Sequence, residues 1–186
     1  MSYVLEGIRQ IRVLSELDSG AADGSASDIN STVIQEMTYS PVYIDGAEVI
    51  QRGGDDILAV VKEDDKFLGV DITLNMAGLE LTLKAAIAGG TVNGTKWLAP
   101  KDDTEYPYPF RLKAWVANYT ESDSESTQDG FILYEFAYCK RGRLGSQTAT
   151  QQAFANDQFT FQARRNESDP SSIESAITME KVAAIT

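Results

Sequence analysis

Residues 70–76, Val-Asp-Ile-Thr-Leu-Asn-Met, alternate apolar and polar side chains without a break. A strand of that pattern has one buried face. A one-residue slip in its pairing would carry Val70, Ile72, Leu74 and Met76 into water and bury Asp71, Thr73 and Asn75. The same period recurs along the chain. "VIQEMTY" sets Val33, Gln35, Met37 and Tyr39 against Ile34, Glu36 and Thr38. "PFRLKAWVANYT" sets Phe110, Leu112, Ala114 and Val116 against Arg111, Lys113, Trp115 and Tyr119. "FILYEFAYCK" groups Ile132, Tyr134, Phe136 and Tyr138, and "QFTFQARR" alternates Phe159, Phe161 and Ala163 with Thr160, Gln162 and Arg164. "DILAVVKEDDKFLGVDITLNM" reads as two strands around a charged turn at 62–66, and the end of the chain, 167–186, supplies a last strand or an arm. The expected fold is mainly β, an antiparallel sandwich or barrel.

One stretch fits two periods. In "GLELTLKAAIAGG", Leu79, Leu81 and Leu83 alternate as in a strand, whereas Leu79, Leu83, Ala86 and Ile87 share the stripe of a helix. Ala85, Ala86 and Ala88 favour helix over strand, and Gly89-Gly90 provides a left-handed cap. The spacing therefore predicts one short flanking helix at about 77–88, with Asn75 as an N-cap and Leu79, Leu83, Ala86 and Ile87 as its core face.

The 186 residues fit one domain, 1–186, long enough to bury about 70% of its unfolded surface. Three polar segments read as long loops: the Gly, Ser and Asp-rich 15–30; 40–56, with turn signals at Pro41, Asp45-Gly46 and Gly53-Gly54; and the acidic 121–129, the solvated tip of a long hairpin. Loops of that length in a small domain usually carry function or are disordered.

Composition removes several kinds of chemistry. There is no histidine, so Ser-His-Asp and Cys-His catalysis and imidazole metal ligation are unavailable. The single cysteine, Cys139, cannot close an intrachain disulfide and reads as a small buried hydrophobe. Net charge is −12, and the bases form only the short runs 140–143 and 163–165, so nothing is built to grip a polyanion. The N-terminus has no basic start followed by an apolar run, and no segment has the apolar length of a membrane span. The expectation is a soluble, cytosolically made chain, in which the sequons at Asn30, Asn93, Asn118 and Asn166 carry no glycan.

Tested motifs fail at identifiable positions. "GGTVNGTK" at 89–96 has Thr95 where a phosphate loop needs lysine, and the acidic stretch from Asp123 has Gln128 where a calcium loop needs glycine. The acid pairs Asp55-Asp56, Asp64-Asp65 and Asp102-Asp103 sit in turn-like sequence with no arguable glycosidase geometry. Trp97, Trp115, Tyr106 and Tyr108 could build a sugar-stacking platform, but aromatics at strand spacing more often fill cores or interfaces. No catalytic, cofactor-binding or metal-binding set emerges. What remains is a non-enzymatic β protein with long loops and exposed charge.

The order of features resembles that of the major tail proteins that build the tail tube of long-tailed bacteriophages. The likeness covers residues 30–166: the strand-helix-glycine passage "LGVDITLNMAGLELTLKAAIAGG", the "YPFRLKAWVANY" strand, and "FILYEFAYCKRGRLGSQTATQQAFANDQFTFQARRN". In the last piece the aromatic strand Tyr134 to Lys140 is followed by the turn Arg141 to Gly145, a Thr-rich stretch and an "FxFxA" strand, Phe159 to Ala163. The resemblance implies a β-sandwich whose inner sheet joins those of its neighbours in a hexameric ring, with rings stacking into a hollow tube. It implies no cofactor. It implies self-association, a tape-measure protein inside during assembly, terminator and tip proteins at the ends, and DNA passing through unbound. The location it implies is the virion tail, assembled in the host bacterium's cytoplasm.

The 40–56 loop is then the expected inter-ring contact, through Tyr43, Ile44, Asp45, Val49, Ile50 and Arg52. The acidic balance either lines the lumen, letting DNA slide, or lies outside for solubility. A carbohydrate- or receptor-binding β-sandwich is the alternative reading, and an acid-pair hydrolase a third.

Overall fold

The computed structural model describes residues 3–5, 7–15, 28–53, 56–78, 80–101, 109–122, 125–144, 157–164 and 176–185. In chain order these form β1 (Tyr3–Leu5), β2 (Ile8–Ser15), β3 (Ile29–Ser31), β4 (Ile34–Ile44), β5 (Glu48–Gly53), β6 (Asp56–Lys62), β7 (Lys66–Met76), α1 (Leu81–Ala88), β8 (Thr91–Asn93), β9 (Lys96–Leu98), β10 (Phe110–Ser122), β11 (Glu125–Leu144), β12 (Asp157–Arg164) and β13 (Ile177–Val182). Among the described residues the fold is mainly β, with antiparallel pairing in every ladder and one short helix.

The main sheet runs β1-β4-β7-β12-β11-β10-β2-β3, with β13 added alongside β11. β11 belongs to two layers. From Phe131 to Phe136 it lies between β10 and β13; from Cys139 onward β12 replaces β13 on that edge. The change falls beside Tyr138, a non-glycine residue at φ 47°, where β11 carries one more residue than β10 between the pairs Leu112–Phe136 and Phe110–Cys139. That bulge turns the strand from one layer into the other. Both layers supply the core: Ile11 and Val13 from β2, Met37 from β4, Phe110, Leu112 and Ala114 from β10, and Phe159, Phe161 and Ala163 from β12.

β7 follows its pattern throughout. Val70, Ile72, Leu74 and Met76 are at most 1% exposed, while Asp71 is exposed and Thr73 and Asn75 are half-buried. β10 and β12 keep their predicted core faces too. β4 and β11 break phase. A bulge between Ile34 and Glu36 lets Ile34 and Met37, three residues apart, both reach the core. The Tyr138 bulge does the same for Phe136 and Cys139, so Tyr138 leaves the face predicted for it. Trp115, expected on the outward face of β10, is 1% exposed, with the Arg12 guanidinium 5.6 Å from its ring. Cys139 is fully buried.

The helix is shorter than its pattern suggests. It starts at Leu81, with Glu80 at the N-cap making no side-chain cap hydrogen bond. Asn75 does not cap it: it lies in β7, donating to Glu36 Oε2 at 3.4 Å and accepting from Gln158 Nε2 at 3.0 Å. Leu79 lies outside the described residues. Leu83 and Ile87 are fully buried, and Ala86 packs against the same cluster. Gly89 and Gly90, at φ 81° and 88°, end the helix; the Gly89 N–H donates to the Ala85 carbonyl.

Two predicted loops are ladders instead. The acidic stretch 121–129 lies at the end of the β10–β11 hairpin ladder, as expected, but as paired strand, with Glu121 opposite Ser126 and Ser122 opposite Glu125. The stretch 40–56 is the end of β4, a short break and β5. The two strands expected around the charged 62–66 are present as β6 and β7, and they pair with β5 and β4 rather than with each other. Most of the 15–30 loop lies outside the described residues. At the C-terminal end, β13 settles the choice between strand and arm by pairing antiparallel with β11.

Candidate functional site

β4 and β7 pair from Ile34–Met76 to Ile44–Lys66, part over residues 45–47 and 63–65, and resume as β5 and β6 from Glu48–Lys62 to Gly53–Asp56. The result is a two-stranded arm continuing beyond the sandwich. Its elbow is held by the Glu63 N–H donating to the Ala47 carbonyl at 2.9 Å and the Gly46 N–H donating to Asp65 Oδ1 at 3.0 Å. Gly46 is required by close approach, because a β-carbon there would overlap the Glu63 carbonyl. Gly46→Val should therefore cost about 1–3 kcal/mol as an overpacked contact. Thermal denaturation should show a Tm lowered by about 2–12 °C, with Gly78→Ala, where the added methyl meets open space, as the near-neutral control.

The arm carries apolar side chains in water. Tyr43, Ile44 and Phe67 at its base are 58%, 53% and 45% exposed, and Val60 and Val61 further out are 54% and 62% exposed. Tyr43 and Phe67 stack edge to face at 5.7 Å. Adjacent strand residues point to opposite faces, so Val60 and Val61 make both faces of the ribbon apolar. A lone two-stranded ribbon is marginal in water, and each such side chain gains about 1.5–3 kcal/mol when fully covered. Of the residues expected to reach a neighbour, Tyr43, Ile44 and Asp45 are exposed at the base and elbow. Val49, Ile50 and Arg52 lie on β5, and their side chains fall outside the described set. Sequence reasoning missed Val60, Val61 and Phe67, although the apolar run Ile57 to Val61 between charged residues was visible.

Charge is uneven around this arm. Asp45, Glu48, Glu63, Asp64 and Asp65 are all exposed near the elbow, relieved by Lys62 and Lys66. The Lys62–Asp65 contact, at 4.0 Å and half-exposed, contributes at most about 1 kcal/mol. The outward face of β4, β7 and β12 is instead polar and nearly balanced. It forms cross-strand rows Glu36–Asn75–Gln158, Thr38–Thr73–Thr160 and Ser40–Asp71–Gln162–Lys140. Thr73 and Thr160 of the second row and Asp71, Gln162 and Lys140 of the third line a groove of about 540 Å³.

A second feature was unforeseen. Lys84 of α1 and Asp157 of β12, with side chains 7% and 6% exposed, face each other with both carboxylate oxygens 3.4 Å from Nζ. The ammonium also lies 4.8 Å from the Trp97 ring centre, and the Trp97 indole N–H donates to the Gly89 carbonyl at 2.9 Å. Lys84, Ile87 and Ala88 stand at i, i+3 and i+4, so the buried stripe itself was the available signal. Neither tryptophan therefore presents an open stacking face of the kind a sugar platform needs. Tyr106, Tyr108, Asp55, Asp102 and Asp103 lie outside the described residues, and Asp64-Asp65 is an exposed elbow pair. Among the described residues no cluster of three acidic or cysteine ligands forms, and no helix is long and apolar enough to cross a membrane. No protein-family model matches the chain and no curated protein is significantly similar to it, so the functional reading rests on the sandwich, the arm and the charge around them.

Proposed function

We propose that this chain is a structural subunit that polymerises, forming the tail tube of a long-tailed bacteriophage. Copies join into rings, hexameric by the family resemblance, and rings stack into a hollow conduit through which the genome leaves the virion. The observation that carries this reading is the β5–β6 arm, a two-stranded ribbon that exposes Val60 on one face and Val61 on the other. The fold supplies compatible joining surfaces, since β1, β3 and β13 are each paired on one side only among the described residues and open strand edges serve assembly. A heterologous contact that does not close on itself propagates as a filament. On this proposal the subunit is not an enzyme and holds no cofactor. Its partners are further copies, a tape-measure protein and the terminator and tip proteins, and it resides in the virion tail after assembly in the bacterial cytoplasm. DNA passes without specific binding, consistent with the −12 charge and the near-balanced polar sheet face.

The arm is tested by Val60→Asp combined with Val61→Asp. Both side chains are more than half exposed, so the fold should keep its circular dichroism spectrum and Tm. Fully covering each valine contributes about 1.5–3 kcal/mol, and every 1.4 kcal/mol is tenfold in affinity. Sedimentation velocity should show association of the natural chain weakened at least about tenfold in the variant. Unchanged association would remove the arm from the interface and with it the support for this reading.

A further inference from the structure

The arm needs an acceptor, and a surface of matching chemistry lies on the flank of the same fold. β8 and β9 form a separate two-stranded ribbon after the helix, pairing Thr91–Leu98, Val92–Trp97 and Asn93–Lys96. Trp97 is turned toward the helix, held by Gly89 and Lys84. Alternation then places Leu98 and Lys96 together on the opposite face, with Thr91 and Asn93 across from them. Leu98 is 46% exposed, Lys96 is exposed, and residues 91–98 contain no acid. The arm offers the complement. Val61 is 62% exposed, and Glu63, two residues on at the elbow, where its N–H donates to the Ala47 carbonyl, is itself exposed. An apolar residue and an acid two positions apart thus match an apolar residue and a base two positions apart, both at about 6–7 Å along a strand.

We infer that the β8–β9 ribbon is the docking site for the arm of a second copy of this chain, with Val61 covering Leu98 and Glu63 meeting Lys96. This rests on the assembly reading and specifies its acceptor. The contact joins two different patches, so each copy offers a free arm and a free ribbon, and a contact of this heterologous kind propagates from copy to copy. Partner recognition is set by the charge pair, and the remaining acids at the elbow, Asp64 and Asp65, steer an arm toward a ribbon that has none.

The test uses the full chain. Lys96→Glu should weaken association at least tenfold by sedimentation velocity, Glu63→Lys should do the same, and the two changes together should restore it to within about threefold. Separately, Val61→Cys with Leu98→Cys should give a ladder of disulfide-linked oligomers on non-reducing gels, because two cysteines bridge only when their Cα atoms approach within about 7 Å. Natural association that is lost in the Val60/Val61 arm variant but untouched by Lys96→Glu, with no cross-linked ladder, overturns this acceptor while leaving the arm as an interface. Absence of association by the natural chain overturns both.

Discussion

Leu83→Asp and Ile87→Asp each leave a chain with no cooperative thermal transition, rather than a folded monomer that fails to assemble. Both side chains are 0% exposed, in one cluster with Met76, Phe136 and Phe159. Removing the aliphatic group from such a site costs about 2–5 kcal/mol, and a carboxylate without a partner there adds several more. A domain has only about 5–15 kcal/mol in hand. Circular dichroism during heating checks this directly, and Leu83→Met, which conserves volume, should keep the transition with a loss below about 1.5 kcal/mol. If the Asp variants melt like the natural chain and lose only assembly, the helix is an interface and its place in the core is wrong.

The second large effect concerns the ion pair beneath the helix. Lys84→Ala takes the ammonium away from the Asp157 carboxylate, whose side chain is 6% exposed, beside an apolar cluster. Breaking a buried pair by removing one partner costs about 3–5 kcal/mol. For a chain of this size that is a Tm drop of about 6–20 °C. The pair is not a net source of stability, because removing two charges from water offsets most of their attraction. Lys84→Met with Asp157→Leu should therefore recover most of the loss, and a double variant no more stable than Lys84→Ala would contradict this. The pair instead fixes where the helix sits. It joins α1 to the first residue of β12, and Trp97 closes over the ammonium, so helix, sheet and the β8–β9 ribbon share one anchor.

Where strands pair without interruption, alternation alone located them. β7 and β12 run in unbroken register from Asp157–Met76 to Arg164–Gly69, and their inward residues were legible from the period. β4 and β11 were not, because a bulge leaves no mark in composition. Tyr138 adopts φ 47° although nothing in its identity asks for it. The stretch 40–56 misled for a different reason. Pro41 is a turn signal in most settings, but it lies past Tyr39, the last residue paired with β1 among the described residues, and continues β4 there opposite Val70 of β7. Asp45-Gly46 marks an elbow inside a continuing ladder rather than a loop. The site was thus half legible: Tyr43, Ile44 and Asp45 were singled out, but the ribbon's other strand, with Val60 and Val61, was assigned to an ordinary sheet strand. Lys84 was overlooked because a lysine is usually solvated, even though its spacing put it on the buried stripe.

The double period of 78–90 resolves into a sequence of events along the chain. The alternating strand ends at Met76, the helix begins at Leu81, and the two glycines turn the chain into the β8–β9 ribbon. That handover places the proposed acceptor on the flank of the sandwich while the arm extends the opposite end of β7, beyond Lys66. Separation of the two surfaces on one subunit is what a stacking contact requires.

Electron microscopy of the purified chain, concentrated stepwise and imaged in negative stain alongside the Val60→Asp/Val61→Asp variant, tests self-assembly most directly. Hollow rings or stacked tubes from the natural chain, with dispersed single particles from the variant, are the predicted result. Dispersed monomers from the natural chain at every concentration would contradict the account.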